Sequence, residues 1–235
     1  MTLAANVGIS EGCCDVATIT HRWPLTTDAT DVVAGLATTN LGGVTFSSAG
    51  ALFTGTNTKA LTFTKALSAS YSFSFWAKSG GTQTNYWTPF MSSDAGSNAG
   101  TGICSCGALD GLNAATNWTS GMSGRLVIES KASKFIDGSE HLHIMTFSGS
   151  AITYKMDADA TLSGAATLAP TNFNFAIGRW GMYVTQNLAW NGTVRDLRIY
   201  DGQVLTEEDM SAIYTAGPNG SSGTAPKPQA STGGL

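Results

Sequence analysis

Charge is scarce in this sequence. Of its 235 residues, 12 are lysine or arginine and 16 are aspartate or glutamate, which gives a net charge of −4 at pH 7. Charged residues make up 12% of the chain, whereas globular domains average about 25%. Because no basic stripe is available to neutralise phosphates, we expect no nucleic-acid partner.

Long apolar runs are also missing. None approaches the roughly 20 residues of a transmembrane helix, so we expect no membrane insertion. The N-terminal stretch MTLAANVGISEGCC lacks the basic and apolar regions of a secretory signal peptide. Together with Met1, this favours a protein that is made and used without Sec export, and a trimmed secreted protein is the alternative.

Cysteines are few and poorly spaced for a metal. Cys13 and Cys14 are adjacent, and one residue separates Cys104 from Cys106, so neither pair has the C-x2-C spacing of a zinc knuckle. The alternatives are a zinc site completed by a histidine, disulfides between the pairs in an oxidising compartment, and free or structural thiols. We expect the four cysteines to be free or structural thiols.

Glycine is abundant, at 28 residues, and small-residue turns separate many short alternating segments. The clearest is Ser70–Lys78, where Tyr71, Phe73 and Phe75 share one face and Trp76 lies on the other. Many such segments, with one credible helix, predict an all-β sandwich.

The closing stretch, Asn191–Gly217, reads as a strand, a tight turn and a short helix. Thr206 stands at the N-cap position, and acidic residues fill the first helical turn. Leu205 and Met210 occupy the two positions of a hydrophobic staple, and Gly217 ends the helix.

These segments resemble, in order, the laminin-G-like domains of the concanavalin A-like jelly-roll superfamily. The resemblance covers about residues 21–217 and implies a jelly-roll β-sandwich of two antiparallel sheets with one short C-terminal helix. The segments that carry it are residues 21–25, 42–46, 51–55, 70–78, 87–94, 141–147, 173–178 and 191–217.

The range of this resemblance divides the chain into three regions. Residues 1–20 form a polar N-terminal arm, residues 21–217 form the domain, and residues 218–235 form a tail rich in Pro, Gly, Ser and Thr. The tail has too few apolar groups to offset the entropy of ordering, so we expect it to be flexible or laid on a neighbouring subunit.

The resemblance also implies a structural Ca²⁺ between the early Asp loop and the closing strand. Asp28, Asp31 and Asp196 match those positions, although Thr54 replaces an acidic residue that is common in the family. The alternative is that the first two are turn residues and that Asp196 pairs with a neighbouring arginine.

Glycan binding is a further expectation, because sugars are held by aromatic faces together with polar side chains in shallow sites. Trp23 and Trp76 are expected in the core or on a sheet face. The candidate glycan-binding residues are Trp87, Trp118, Trp180 and Tyr183.

Catalysis is not expected. Related jelly-roll glucanases place two carboxylates at alternate positions of one strand, and no Glu-x-Asp-x-Glu run occurs here. Glu207, Glu208 and Asp209 lie together, but helix capping explains them. No Gly-x-Ser-x-Gly motif is present.

The leading interpretation is a non-enzymatic protein of a virion surface, such as a phage head decoration or tail accessory protein. Its partners would be other copies of itself, other virion proteins and cell-surface glycans. This rests on the missing export signal, the low charge and the two arms. The alternatives are a glycan-binding adhesion module of a larger secreted or cell-surface protein, and a glycoside hydrolase with an unrecognised site.

Overall fold

The structure is a computed structural model that describes residues 17–56, 58–81, 83, 86–93, 101–106, 112–115, 125–165, 172–179 and 189–220. Within these ranges lie fifteen strands, one 3₁₀ helix (Glu129–Lys131) and two α-helices. The elements are β1 (His21–Trp23), β2 (Thr39–Leu41), β3 (Thr45–Ser47), β4 (Gly50–Thr54), β5 (Ala60–Ala66), β6 (Tyr71–Ser79), β7 (Tyr86–Ser93), β8 (Gly102–Cys106), β9 (Leu112–Ala115), β10 (Arg125–Val127), α1 (Ala132–Phe135), β11 (Glu140–Phe147), β12 (Ala151–Met156), β13 (Leu162–Ala165), β14 (Asn172–Ile177), β15 (Asn191–Asp201) and α2 (Glu207–Ala216).

The strands form two sheets in which every described pairing is antiparallel. Sheet A has the order β13-β12-β11-β6-β15-β4-β3, and β1 also pairs with β15. Sheet B has the order β10-β9-β8-β7-β14-β5-β2. Sequence neighbours are often separated in these orders, as expected for a jelly roll. The predicted all-β jelly-roll sandwich is therefore confirmed.

The main core lies between the two sheets. Tyr71, Phe73 and Phe75 of β6 are each 1% exposed and belong to it. Leu197 and Ile199, the apolar residues of the closing strand, are fully buried in the same cluster. The alternation in the sequence thus predicted correctly that these three aromatic side chains share one face of β6.

A second apolar cluster covers the outer face of sheet A, where α2 packs. Leu205, Met210 and Ile213 from the helix region contact Trp76 and its neighbours on the sheet. Sheet A is therefore buried on both faces along β6. Neither described α-helix is long and apolar enough to cross a membrane.

The start of α2 has the predicted cap. The Thr206 hydroxyl accepts a hydrogen bond from the backbone N–H of Asp209 at 3.2 Å, and the Asp209 carboxylate accepts one from the Thr206 N–H at 2.9 Å. Lys155 of β12, which is buried, forms an ion pair with Glu207 and fixes the same end of the helix to the sheet.

The two described ends of the chain lie along β15. The Thr20 N–H donates to the Ile199 carbonyl at 2.9 Å, and the Asn219 N–H donates to the Asp196 carboxylate at 2.8 Å. The rest of the predicted arms, residues 1–16 and 221–235, lies outside the described residues.

Candidate functional site

A cleft of about 630 Å³ opens on the outer face of sheet A, where α2 stops covering it. It is lined by an aromatic pair, two carboxylates, a histidine and a threonine hydroxyl. The residues are Trp76, Glu140, His141, Asp157, Tyr214 and Thr215.

The aromatic wall comes from β6 and α2. The indole of Trp76 packs under the helix and is 8% exposed, while Tyr214 is 38% exposed. Their ring centroids are 6.2 Å apart, and the ring planes differ by 16°, so the rings are nearly parallel and offset. Met210 and Ile213 turn one side of α2 to the sheet, which leaves Tyr214 at the edge of the contact. The result is an accessible ring at the mouth of the cleft.

Glu140 is held in position by Arg195. The Arg195 Nε donates to Oε1 at 2.7 Å, and its second nitrogen donates to Oε2, so both carboxylate oxygens face the guanidinium. Arg195 is the cross-strand partner of Trp76, which places the pair beside the indole on the outer face. A bidentate pair of this kind restricts the Glu140 carboxylate to one orientation.

Asp157 is fixed from three directions. Its carboxylate contacts the His141 Nδ1 at 2.6 Å, the Leu142 N–H at 2.8 Å and the Lys134 Nζ at 3.0 Å. Burial alone would raise the pKa of Asp157, but these partners outweigh it and hold the pKa below its ordinary value. Asp157 is therefore a carboxylate at neutral pH and acts as a hydrogen-bond acceptor.

The residues expected to bind Ca²⁺ lie elsewhere, at the junction of β1 and β15. Asp31 is 2% exposed and accepts hydrogen bonds from backbone N–H groups of its own loop and from the His21 Nδ1 at 2.8 Å. Asp196 is 1% exposed and accepts from the Arg22 Nε at 2.8 Å and from Arg198. Asp28 lies in an exposed turn, where it accepts the Thr30 N–H at 2.8 Å.

This arrangement does not fit the expected ion. Calcium needs six or more oxygen ligands, whereas the carboxylates of Asp31 and Asp196 face N–H donors. A cation beside Asp196 would also meet the guanidinium groups of Arg22 and Arg198. Among the described residues, no group of three or more Asp, Glu, His or Cys side chains is arranged to hold a metal. The calcium site stays an expectation from the resemblance.

The aromatic candidates from the sequence are placed only in part. Trp118, Trp180 and Tyr183 lie outside the described residues. Trp87 lies on β7 opposite Ser105, and its side chain is not among those described.

Sequence reasoning missed the cleft because it assigned Trp76 to the core or to a sheet face. The alternation in β6 does place Trp76 on the face opposite Phe75, and the structure confirms this. Only the docking of α2 brings Tyr214 next to it. Trp76 and Tyr214 are far apart in the sequence and no local pattern links them, so their contact could not be predicted.

Similarity to known proteins is found only at the level of structure. No protein-family model matches the chain, and a comparison with curated protein sequences gives no match. Domain 4 of AbnA, a GH43 extracellular arabinanase from Geobacillus stearothermophilus, has a TM-score of 0.59 and 18% identity, over 84% of this chain and 98% of that domain. The binding domain of botulinum neurotoxin serotype D has a TM-score of 0.60 and 13% identity, over 85% of this chain and 51% of that one.

A sialidase of Trypanosoma rangeli has a TM-score of 0.60 and 10% identity, over 89% of this chain and 35% of that one. The chain thus spans about half of the toxin binding domain and about a third of the sialidase. At these low identities the likeness concerns the fold alone. This chain has the jelly-roll β-sandwich that all three share with it.

Proposed function

We propose that this protein is a non-catalytic glycan-binding module and that its sugar site is the cleft between α2 and strands β6 and β11. The observation that carries the proposal is the exposed Tyr214 ring beside two carboxylates, Glu140 and Asp157, that are fixed by other side chains.

The chemistry of the cleft suits a pyranose or furanose ring. The C–H face of a sugar packs on an aromatic ring, and its hydroxyls donate to carboxylates in charge-assisted hydrogen bonds. Because Arg195 and His141 already hold the two acceptors, little side-chain entropy is lost on binding. The volume of about 630 Å³ is in the range of small-ligand sites.

The same contacts favour binding over hydrolysis. A glycosidase needs one carboxylic acid whose pKa is raised, so that it carries a proton at the working pH. In this cleft the partners of Asp157 lower its pKa, and Arg195 engages both oxygens of Glu140. Asp157 therefore does not have the environment of a general acid, and Glu140 is engaged by a guanidinium.

Two structural neighbours support this proposal. Domain 4 of the Geobacillus arabinanase was seen in complex with arabinotriose. For botulinum neurotoxin type C, whose structure has a TM-score of 0.54 to this chain, cell entry depends on interaction with two ganglioside molecules. The matched region covers 98% of the arabinanase domain and 51% of the toxin chain.

The test is a glycan-array screen of the full chain followed by calorimetry with the best ligand. Replacement Tyr214→Ala should weaken binding about tenfold or more, which corresponds to about 1.4 kcal/mol. Tyr214→Phe, which keeps the ring, should bind nearly as the wild type does. Val127→Ala, at an exposed apolar position on sheet B, is the matched control. Unchanged affinity in Tyr214→Ala would exclude the cleft as the sugar site.

The virion-surface role is a second candidate, and one observation favours it. Thr20 and Asn219 both donate hydrogen bonds to β15, so the first and last described segments of the chain lie beside the same strand. Analytical ultracentrifugation of the full chain should then show a defined oligomer that dissociates when residues 221–235 are removed. A monomer at every concentration would favour the alternative, an adhesion module.

A further inference from the structure

A row of side chains crosses the outer face of sheet A next to the Tyr214 cleft. The apolar cluster under α2 takes its sheet residues from β6, β11 and β15, and the row lies beside this cluster. It is defined by cross-strand pairing and runs in the order Glu140 (β11), Lys78 (β6), Thr193 (β15), Leu52 (β4) and Thr45 (β3). Because Glu140 also lines the cleft, the row begins inside it.

Strand alternation turns this row away from the core. The residues that alternate with it are buried in the main core, namely Ala51, Phe53, Ala77 and Val194. The side chains of Lys78, Thr193 and Leu52 therefore point to the outer face. Leu52 is 44% exposed, and Lys78 and Thr45 are exposed as well. The row is thus an open surface that continues from the cleft.

Arg195 forms one border of the row. At the cleft end its Nε donates to Glu140 at 2.7 Å, and on the other side its guanidinium donates to the Ser48 carbonyl at 3.3 Å, in the turn between β3 and β4. Arg195 is the cross-strand partner of Trp76, so it lies on the side of the row that faces α2. The two contacts fix one long side chain along this surface.

The row is longer than a single sugar. Four strand-to-strand steps separate β11 from β3, and at about 4.8 Å a step they span roughly 19 Å, several times the width of a sugar ring. A ring that stacks on Tyr214 would occupy only the beginning of this distance. Beyond it, the hydroxyls of Thr193 and Thr45 flank the apolar Leu52, and a glycan chain has the matching hydroxyl edges and C–H faces.

We propose that the sugar site takes an extended oligosaccharide, whose chain leaves the Tyr214 cleft at Glu140 and follows this row toward β3. The inference rests on the proposed function and specifies its ligand class, a linear glycan of several residues in place of a single terminal sugar. Leu52 receives the C–H face of a ring, and Thr193 and Lys78 hydrogen-bond its hydroxyls. Affinity therefore rises with chain length until the row is filled.

The test is a chain-length series on the full protein. Calorimetry measures the binding of cello-, xylo-, manno- and arabino-oligosaccharides, each as the monosaccharide, the trisaccharide and the pentasaccharide. In the series that binds, we expect the pentasaccharide to bind about tenfold or more tightly than the monosaccharide.

Two results would overturn this inference without touching the proposed function. The first is equal affinity at every length together with weaker binding in Tyr214→Ala, which would leave the cleft as the site of a single sugar. The second is no saturable binding in any series, while array binding is still lost in Tyr214→Ala. If Tyr214→Ala changes neither measurement, the proposed function fails as well.

Variants locate the added contacts. Leu52→Ser should lower the ratio of pentasaccharide to monosaccharide affinity about threefold or more, because it removes the apolar contact. Thr193→Val keeps the shape of the side chain, removes the hydroxyl and should lower the same ratio. Val127→Ser, at an exposed apolar position on sheet B, is the matched control and should leave the ratio unchanged. A ratio that both Leu52→Ser and Thr193→Val leave unaltered contradicts the placement of the chain.

Two further measurements observe the row directly. In methyl NMR, the Leu52 resonances should shift with the pentasaccharide and not with the monosaccharide, whereas those of Val127 should shift with neither. Leu52 resonances that respond to no sugar of a binding series would overturn the proposal. A second copy of this chain is the competing occupant, so the wild type and Leu52→Ser should sediment alike. A dimer that Leu52→Ser dissociates would assign the row to a contact between copies and would also overturn the proposal.

Discussion

Mild acid should destabilise this protein through His143, which lies between the sheets with no exposed surface. Its ring packs against Phe75 and Phe135, with centroid distances of 5.2 and 4.1 Å. The Nδ1 lies 2.8 Å from the Tyr154 hydroxyl. Burial raises the pKa of Tyr154, so the hydroxyl keeps its proton. Burial also lowers the pKa of His143 to about 3, and the ring is neutral in the folded state.

The sign and size of the effect follow from proton linkage. An unfolded histidine has a pKa of about 6.5, so between pH 6.5 and about 3 the unfolded chain binds a proton that the folded chain does not. The free energy of unfolding therefore falls as the pH is lowered through this window. Between pH 7 and pH 5 the loss from His143 alone is about 2 kcal/mol, a large share of the 5–15 kcal/mol typical of a domain.

The assay is urea unfolding at pH 7 and pH 5 for the wild type and for His143→Gln. Glutamine does not titrate, and its amide can still meet the Tyr154 hydroxyl. All other titratable groups are common to the two proteins, so the difference between their pH dependences isolates the imidazole. We expect the wild type to lose about 2 kcal/mol more than the variant over this range. A double variant, His143→Phe with Tyr154→Phe, removes both polar partners and should show the same reduced pH dependence.

An equal loss in the wild type and in both variants would refute this reasoning. So would an NMR titration in which the His143 ring of the folded protein changes protonation near pH 6.5. Either result would mean that the imidazole is hydrated or paired with a charge in the native state.

Three further changes probe the fold. Asp196→Asn should cost about 3–5 kcal/mol in urea unfolding, because Arg198, 1% exposed, loses its buried counter-charge, while asparagine tolerates the backbone φ of 49° at this position. Thr206→Ala should cost about 1 kcal/mol by loss of the N-cap, whereas the control Ser211→Ala should cost less. Gly178→Ala should prevent accumulation of folded protein on expression, since φ is 88° and the new Cβ would lie 2.0 Å from the Phe53 ring.

The fold was predictable because its signals are local. Period-2 alternation along Ser70–Lys78 placed Phe73 and Phe75 on one face of the strand, and the structure shows that this face belongs to the main core. The cap at Thr206 and the staple of Leu205 with Met210 lie within six residues of sequence, and the structure confirms both. Such signals do not depend on distant parts of the chain.

The candidate site was not predictable because its parts meet only through the topology. Trp76 and Tyr214 have no common local pattern, and their contact requires α2 to dock on β6. The calcium prediction had a different weakness, because it relied on residue type and position in the sequence. Asp31 and Asp196 are close to the junction of β1 and β15, but the donors that surround them come from Arg22, Arg198 and loop backbone. Residue type alone cannot distinguish an ion's ligand from the acceptor of a buried ion pair.

Each sheet has a cavity on its outer face, and both cavities have the same structural cause. A jelly roll needs only the inner face of each sheet for its core, so each outer face is left for other contacts. In sheet A, α2 buries most of this face and leaves a pocket at its edge, where the chain places carboxylates beside Tyr214. In sheet B, the described outer face carries threonine rows and the cation Arg179.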